Sequence, residues 1–74
     1  MTITVKLFAT LQKDRFIEKT LEIGANQKVA DVLNATGINP QDAAIIFING
    51  IHAQLDSALK GGDVLALFPP IGGG

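Results

Sequence analysis

The chain has 74 residues, a length that makes one domain and leaves a core only just able to outweigh chain entropy. Six Lys or Arg against seven Asp or Glu, scattered singly, give a net charge of -1 and no basic stripe for nucleic acid, while the lack of cysteine removes disulfides, thiolate metal sites and a thiol nucleophile together. Hydrophobic residues make up 47% and charged residues 18%, a ratio too rich for so small an interior, so an apolar surface covered by a protein partner is expected.

Thr2 to Phe8 alternates Thr2, Thr4 and Lys6 with Ile3, Val5 and Leu7, the two-residue period of a strand with one buried face. A polar connector over Leu11 to Arg15 follows. The alternation then resumes from Phe16 to Ile23, with Leu21 and Ile23 inward and Glu18, Thr20 and Glu22 towards water, so the two strands form an antiparallel hairpin. After Gly24 the period changes. Val29, Val32 and Leu33 stand at i, i+3 and i+4, which predicts a short amphipathic helix closed by a left-handed Gly37. Asp31 falls in its first turn, where negative charge is favoured, and no Ser or Thr caps it.

Asn39-Pro40 opens a loop, and Ala44 to Ile48 is a β-branched and aromatic run ending at Asn49-Gly50, a strong hairpin signal because both residues tolerate positive φ. Ile51-His52-Ala53 returns as a brief edge strand. Leu55 to Leu59 reads as a single helical turn, Lys60 to Asp63 as a tight turn with solvated charges at the same end of the sheet as the base of the tail, and Val64 to Phe68 as the final strand. That strand is apolar throughout, which places it in the middle of the sheet with both faces covered. Hairpin, helix, hairpin-like pair and central last strand make an α+β fold of the β-grasp type, a mixed sheet with one main helix across it. The domain comprises residues 1–68, and residues 69–74 form an extended tail.

One histidine and no cysteine cannot supply a nucleophilic triad, and the carboxylates lie in unrelated segments, so neither hydrolytic chemistry nor a metal site is expected. His52 reads as a partly exposed strand residue. Gly61-Gly62 lacks the strand-loop-helix setting of a phosphate loop and reads as a turn. There remains the end, Phe68-Pro69-Pro70-Ile71-Gly72-Gly73-Gly74. Two prolines stiffen its base, and glycines without a Cβ thread a channel too narrow for other residues. Extended, residues 69–74 reach about 20 Å, enough to bring the Gly74 carboxylate into a partner's buried site. The beginning, Met1 to Lys6, lacks a basic region followed by an apolar signal core, and no apolar run is long enough to span a bilayer, so a cytoplasmic chain without a membrane role is expected.

Val5-Lys6-Leu7-Phe8-Ala9-Thr10-Leu11, Ile48-Asn49-Gly50 and the closing run from Gly62 to Gly74 together resemble the MoaD/ThiS ubiquitin-like sulfur carriers, most closely the small subunit of molybdopterin synthase. The resemblance spans the whole chain. It departs in three places: the connector between the first two strands is short where molybdopterin-type members usually carry a helix, Lys28 replaces a capping Ser or Thr, and Gly72 adds a third glycine.

The resemblance implies a carrier without catalytic side chains of its own and without a bound cofactor. An adenylating enzyme of the MoeB/ThiF type would use ATP to activate Gly74, and an external sulfur donor would convert it to a thiocarboxylate. The large synthase subunit, MoaE-like, would then receive the tail and direct its sulfur to a pterin precursor, with Phe8, Phe68, Pro69, Pro70, Ile71, Gly72 and Gly73 contacting partners. Three alternatives stand beside this reading: a thiamine-type carrier and a ubiquitin-like modifier conjugated through Gly74, and a plain β-grasp binding module in which the apolar sheet face would be the functional part and the tail irrelevant.

Overall fold

The computed structural model describes residues 1–70. Five strands, β1 (Thr2–Leu7), β2 (Glu18–Glu22), β3 (Ile45–Ile48), β4 (Ile51–His52) and β5 (Val64–Phe68), form one mixed sheet in the order β2-β1-β5-β3-β4. One helix, α1 (Val29–Thr36), covers one face. This is the β-grasp arrangement. β1 and β2 pair antiparallel through Ile3↔Leu21 and Val5↔Lys19, β1 and β5 pair parallel through Leu7↔Leu67, and β3 and β5 pair antiparallel through Ile46↔Leu67.

Strand alternation sends Ile3, Val5 and Leu7 of β1, Leu65 and Leu67 of β5 and Ile46 of β3 into the core, where Val29, Val32 and Leu33 meet them from α1. Leu21 and Ile23 pack against this cluster half-buried, as the alternation requires at an edge strand. Gly37 closes α1 with φ 75°, its N–H on the Asn34 carbonyl, and the Ile38 N–H reaches the Leu33 carbonyl.

Four expectations need correction. The connector after β1 is not wholly polar coil: residues Ala9–Gln12 form a 3-10 turn that buries Leu11, so even in its shortened form the segment closes one end of the core. Leu55 to Leu59 is not helical. Its carbonyls serve α1 instead of an internal ladder, since Leu55 and Ser57 accept from the N–H groups of Ala30 and Val29 at 2.9 and 3.0 Å, and Ala58 bridges to Lys28. These backbone carbonyls, with the Asp31 carboxylate accepting from the Lys28 N–H at 2.8 Å, cap the helix in place of a Ser or Thr.

β5 is central but covered on one face only. Leu65 and Leu67 are fully buried beneath α1, whereas Val64, Ala66 and Phe68 alternate onto the opposite face and stay half-buried, because no second layer packs there. Finally, Lys60 and Asp63 lie at the start of β5 and the tail leaves from its end, so they are at opposite ends of the sheet. Asp63 is buried, not solvated. Its carboxylate accepts from the Lys60 N–H at 2.8 Å and the Asn49 amide at 2.9 Å, while the Asn49 side-chain carbonyl accepts from the Val64 N–H at 2.9 Å.

Candidate functional site

The parallel pairing of β1 with β5 decides what surrounds the end of β5. Both strands end on the same side of the molecule, so Phe8, extended just past β1 with its N–H on the Leu67 carbonyl at 3.2 Å, comes beside Phe68. Both rings emerge on the face opposite α1. They stack with centroids 4.3 Å apart and planes within 8°. From β3, Phe47 meets Phe68 edge-on at 5.8 Å, and His52 of β4 meets Phe47 edge-on at 5.7 Å.

These four rings form a strip across β1, β5, β3 and β4. Phe8, Phe47 and Phe68 are half-buried and His52 is exposed, so the strip is an outward apolar surface rather than a second core. On the same face Lys6 and Glu18 stand 4.0 Å apart, a polar margin towards β2. Pro69, half-buried, and Pro70, exposed, continue directly from Phe68. With no N–H to satisfy, both leave the sheet without orphaning a donor, and their fixed φ stiffens the departure.

Of the residues read from sequence as partner contacts, Phe8, Phe68, Pro69 and Pro70 thus sit together at one end of the sheet. Ile71, Gly72, Gly73 and Gly74 lie outside the described residues. His52 is an exposed edge-strand residue, as expected. Gly61-Gly62 is a turn, Gly62 taking φ 87°. Sequence reasoning missed Phe47. Its face follows only from the β3–β5 register, which sets Phe47 against Ala66 and so on the Phe68 side; the Phe47↔His52 hairpin pair is the signal that links it to the strip. Among the described residues no group of three or more His, Cys, Asp or Glu could hold a metal ion. Among the described residues no helix is long and apolar enough to cross a membrane.

The sequence profile of the ThiS family matches residues 5–74, nearly the whole chain and the glycine end with it. The chain belongs to the ThiS family. Among solved structures, this ThiS-family chain is similar to small archaeal modifier protein 1 of H. volcanii, with 29% identity over 95% of this chain and 98% of the other and a TM-score of 0.77. A Pyrococcus furiosus chain described as molybdopterin converting factor subunit 1 shares 26% identity over 96% and 99% of the two chains, with a TM-score of 0.78. A chain of the complex of subunits 1 and 2 of the molybdopterin-converting factor from Helicobacter pylori shares the fold, at 23% identity, full coverage of both chains and a TM-score of 0.66.

Proposed function

We propose that the protein is a sulfur carrier whose reactive group is the Gly74 carboxylate, and that it acts as the small subunit of a molybdopterin synthase. The observation that carries this reading is the family match running through the last glycine, on a fold whose central strand ends beside an uncovered aromatic strip. A carboxylate is a poor electrophile. Attack of its oxygen on the α-phosphorus of ATP, in an adenylating partner, releases pyrophosphate and forms an acyl-adenylate. Sulfide-level sulfur from an external donor then adds to the carbonyl carbon, AMP leaves with the electrons of the C–O bond, and a thiocarboxylate remains. No thiol of the chain is needed, in keeping with its lack of cysteine.

The strip of Phe8, Phe68 and Phe47 is then the surface on which the partners rest while the tail is inserted. Similarity to the Pyrococcus furiosus chain described as subunit 1 supports a large synthase subunit as one partner, and the fold is shared with a chain of the Helicobacter pylori complex of subunits 1 and 2. Co-production with an adenylating enzyme, ATP and a sulfur source tests the carrier step. Intact mass is expected to rise by the exchange of one oxygen for sulfur at Gly74; its absence under conditions that charge a related carrier overturns the reading.

A second reading has its own support. Similarity to small archaeal modifier protein 1 favours conjugation of the same carboxylate to amines on target proteins. Covalent adducts in cell extract that vanish when Gly73 and Gly74 are removed would establish it. A single activated carboxylate serves both ends, because an amine and a sulfur nucleophile attack the same acyl-adenylate carbon.

A further inference from the structure

A further unpartnered feature lies on the sheet edge opposite β4. β2 pairs only with β1. Its bonds to β1 run through alternate residues, marked by the Leu7 N–H on the Ile17 carbonyl at 2.9 Å and the Ile23 N–H on the Met1 carbonyl at 2.7 Å, so the peptide groups of Glu18, Thr20 and Glu22 point away from the sheet. None of those N–H or C=O groups meets a backbone partner among the described residues.

Beside this open ladder a groove of about 460 Å³ runs between β2 and the last turn of α1. Phe16, Leu21 and Ala35 supply its apolar surface, and Arg15, Lys19 and Asp14 its charges. Among the described residues Lys19 reaches over the Phe16 ring, its Nζ 5.7 Å from the centroid, and the Arg15 side chain donates to the Leu11 carbonyl, at 3.4 Å. Ile17, next in line on the same side, is 68% exposed.

We propose that the β2 edge receives an extended segment of another protein as a sixth, antiparallel strand, and that this segment carries Lys or Arg on its outer side and apolar plus acidic residues on its groove side. The pattern follows from register. Residues opposite Glu18 and Glu22 share their face and are matched by cations; residues opposite Lys19 and Leu21 face the groove and are matched by a carboxylate and an aliphatic side chain. A second copy of this chain is the wrong occupant. Antiparallel β2–β2 pairing centred on Thr20 would set Glu18 opposite Glu22 twice, and like charges in direct opposition are destabilising. β1 separates this edge from β5, and the proposal uses neither Phe68 nor the Gly74 carboxylate, so it stands apart from the thiocarboxylate chemistry.

The test is a titration of the ¹⁵N-labelled full chain with the capped peptide Val-Lys-Ile-Thr-Glu-Lys-Val, whose lysines fall opposite Glu22 and Glu18. Saturable shifts centred on Glu18, Thr20 and Glu22, with slowed amide exchange there, are expected. The double variant E18K/E22K should keep a dispersed spectrum and bind this peptide about tenfold more weakly, the scale of two reversed cross-strand ion pairs, and should recover binding with glutamates in place of the peptide lysines. Thr20→Pro, which removes an outward N–H and leaves the β1 ladder intact, should abolish the shifts. No saturable shift, shifts confined to Phe8, Phe47 and Phe68, or a concentration-dependent broadening of residues 18–22 without peptide would each overturn the proposal.

Discussion

In the proposed carrier Phe68 would have two duties, packing and partner binding, that one substitution separates. Its ring is sandwiched between stacked Phe8 and edge-on Phe47 on the uncovered face, so truncation to alanine removes part of a strip and leaves the core under α1 intact. Phe68→Ala is expected to cost about 1–2 kcal/mol of stability, below the loss for a fully buried phenylalanine. Binding to the large subunit should fall by more than that, since aromatic anchors near an interface centre carry a disproportionate share of its energy. Thermal unfolding and titration calorimetry on the same variant check the two numbers; equal losses would return Phe68 to a purely structural role. Gly73 is the converse case. Gly73→Val should leave the melting temperature unchanged and obstruct insertion into the adenylating enzyme, and charging at the wild-type rate would refute the narrow-channel argument. Asp63 is wholly structural: Asp63→Ala strands the Lys60 N–H and the Asn49 amide, for a loss of about 1–3 kcal/mol by denaturant unfolding with no change in charging rate.

At the scale of elements, α1 depends on a segment that has no regular structure of its own. Only eight residues long, it is too short to persist alone, and its first N–H groups are satisfied by carbonyls of Leu55 and Ser57 from beyond the β4 edge. That arrangement ties the helix through backbone to a segment anchored by buried Leu59 and by the Ser57 hydroxyl, which accepts from the Gln54 N–H at 2.9 Å. Asp31 is different, since its carboxylate alone holds the Lys28 N–H. Asp31→Ala should lower stability by about 1 kcal/mol, read as a shift in denaturant midpoint at unchanged slope.

For the molecule as a whole, the parallel placement of β5 beside β1 gathers the exit of the chain, Phe8 and Phe68 at one end and leaves the β2 edge and its groove elsewhere. In the proposed carrier, tail chemistry and partner docking would thus be combined at one pole. Adding one residue after Gly74 should abolish charging while leaving the circular dichroism spectrum and melting temperature as they are, because the reactive carboxylate is displaced and no packed residue is altered. Intact mass after incubation with the adenylating enzyme, ATP and the sulfur source reads the result. A charged extended chain would show that the position of the terminus is not what the adenylating site measures.

Most of the fold was legible in the residues themselves. The two-residue period of Thr2 to Leu7, the i, i+3, i+4 spacing of Val29, Val32 and Leu33, Gly37 and Asn49-Gly50 are local signals, and a β-grasp follows from their order. The Pro-Pro neck and glycine end were equally plain, since backbone freedom is a property of residue type. What the sequence could not reveal depends on which strand lies beside which. Phe47 joins the strip only through its pairing with β5; Val64, Ala66 and Phe68 look like core until it is known that no second layer covers them; Leu55 to Leu59 looks helical until its carbonyls are claimed by α1. Each of these is a contact between residues distant along the chain, where tertiary pairing outweighs local propensity, and only the assembled sheet determines it.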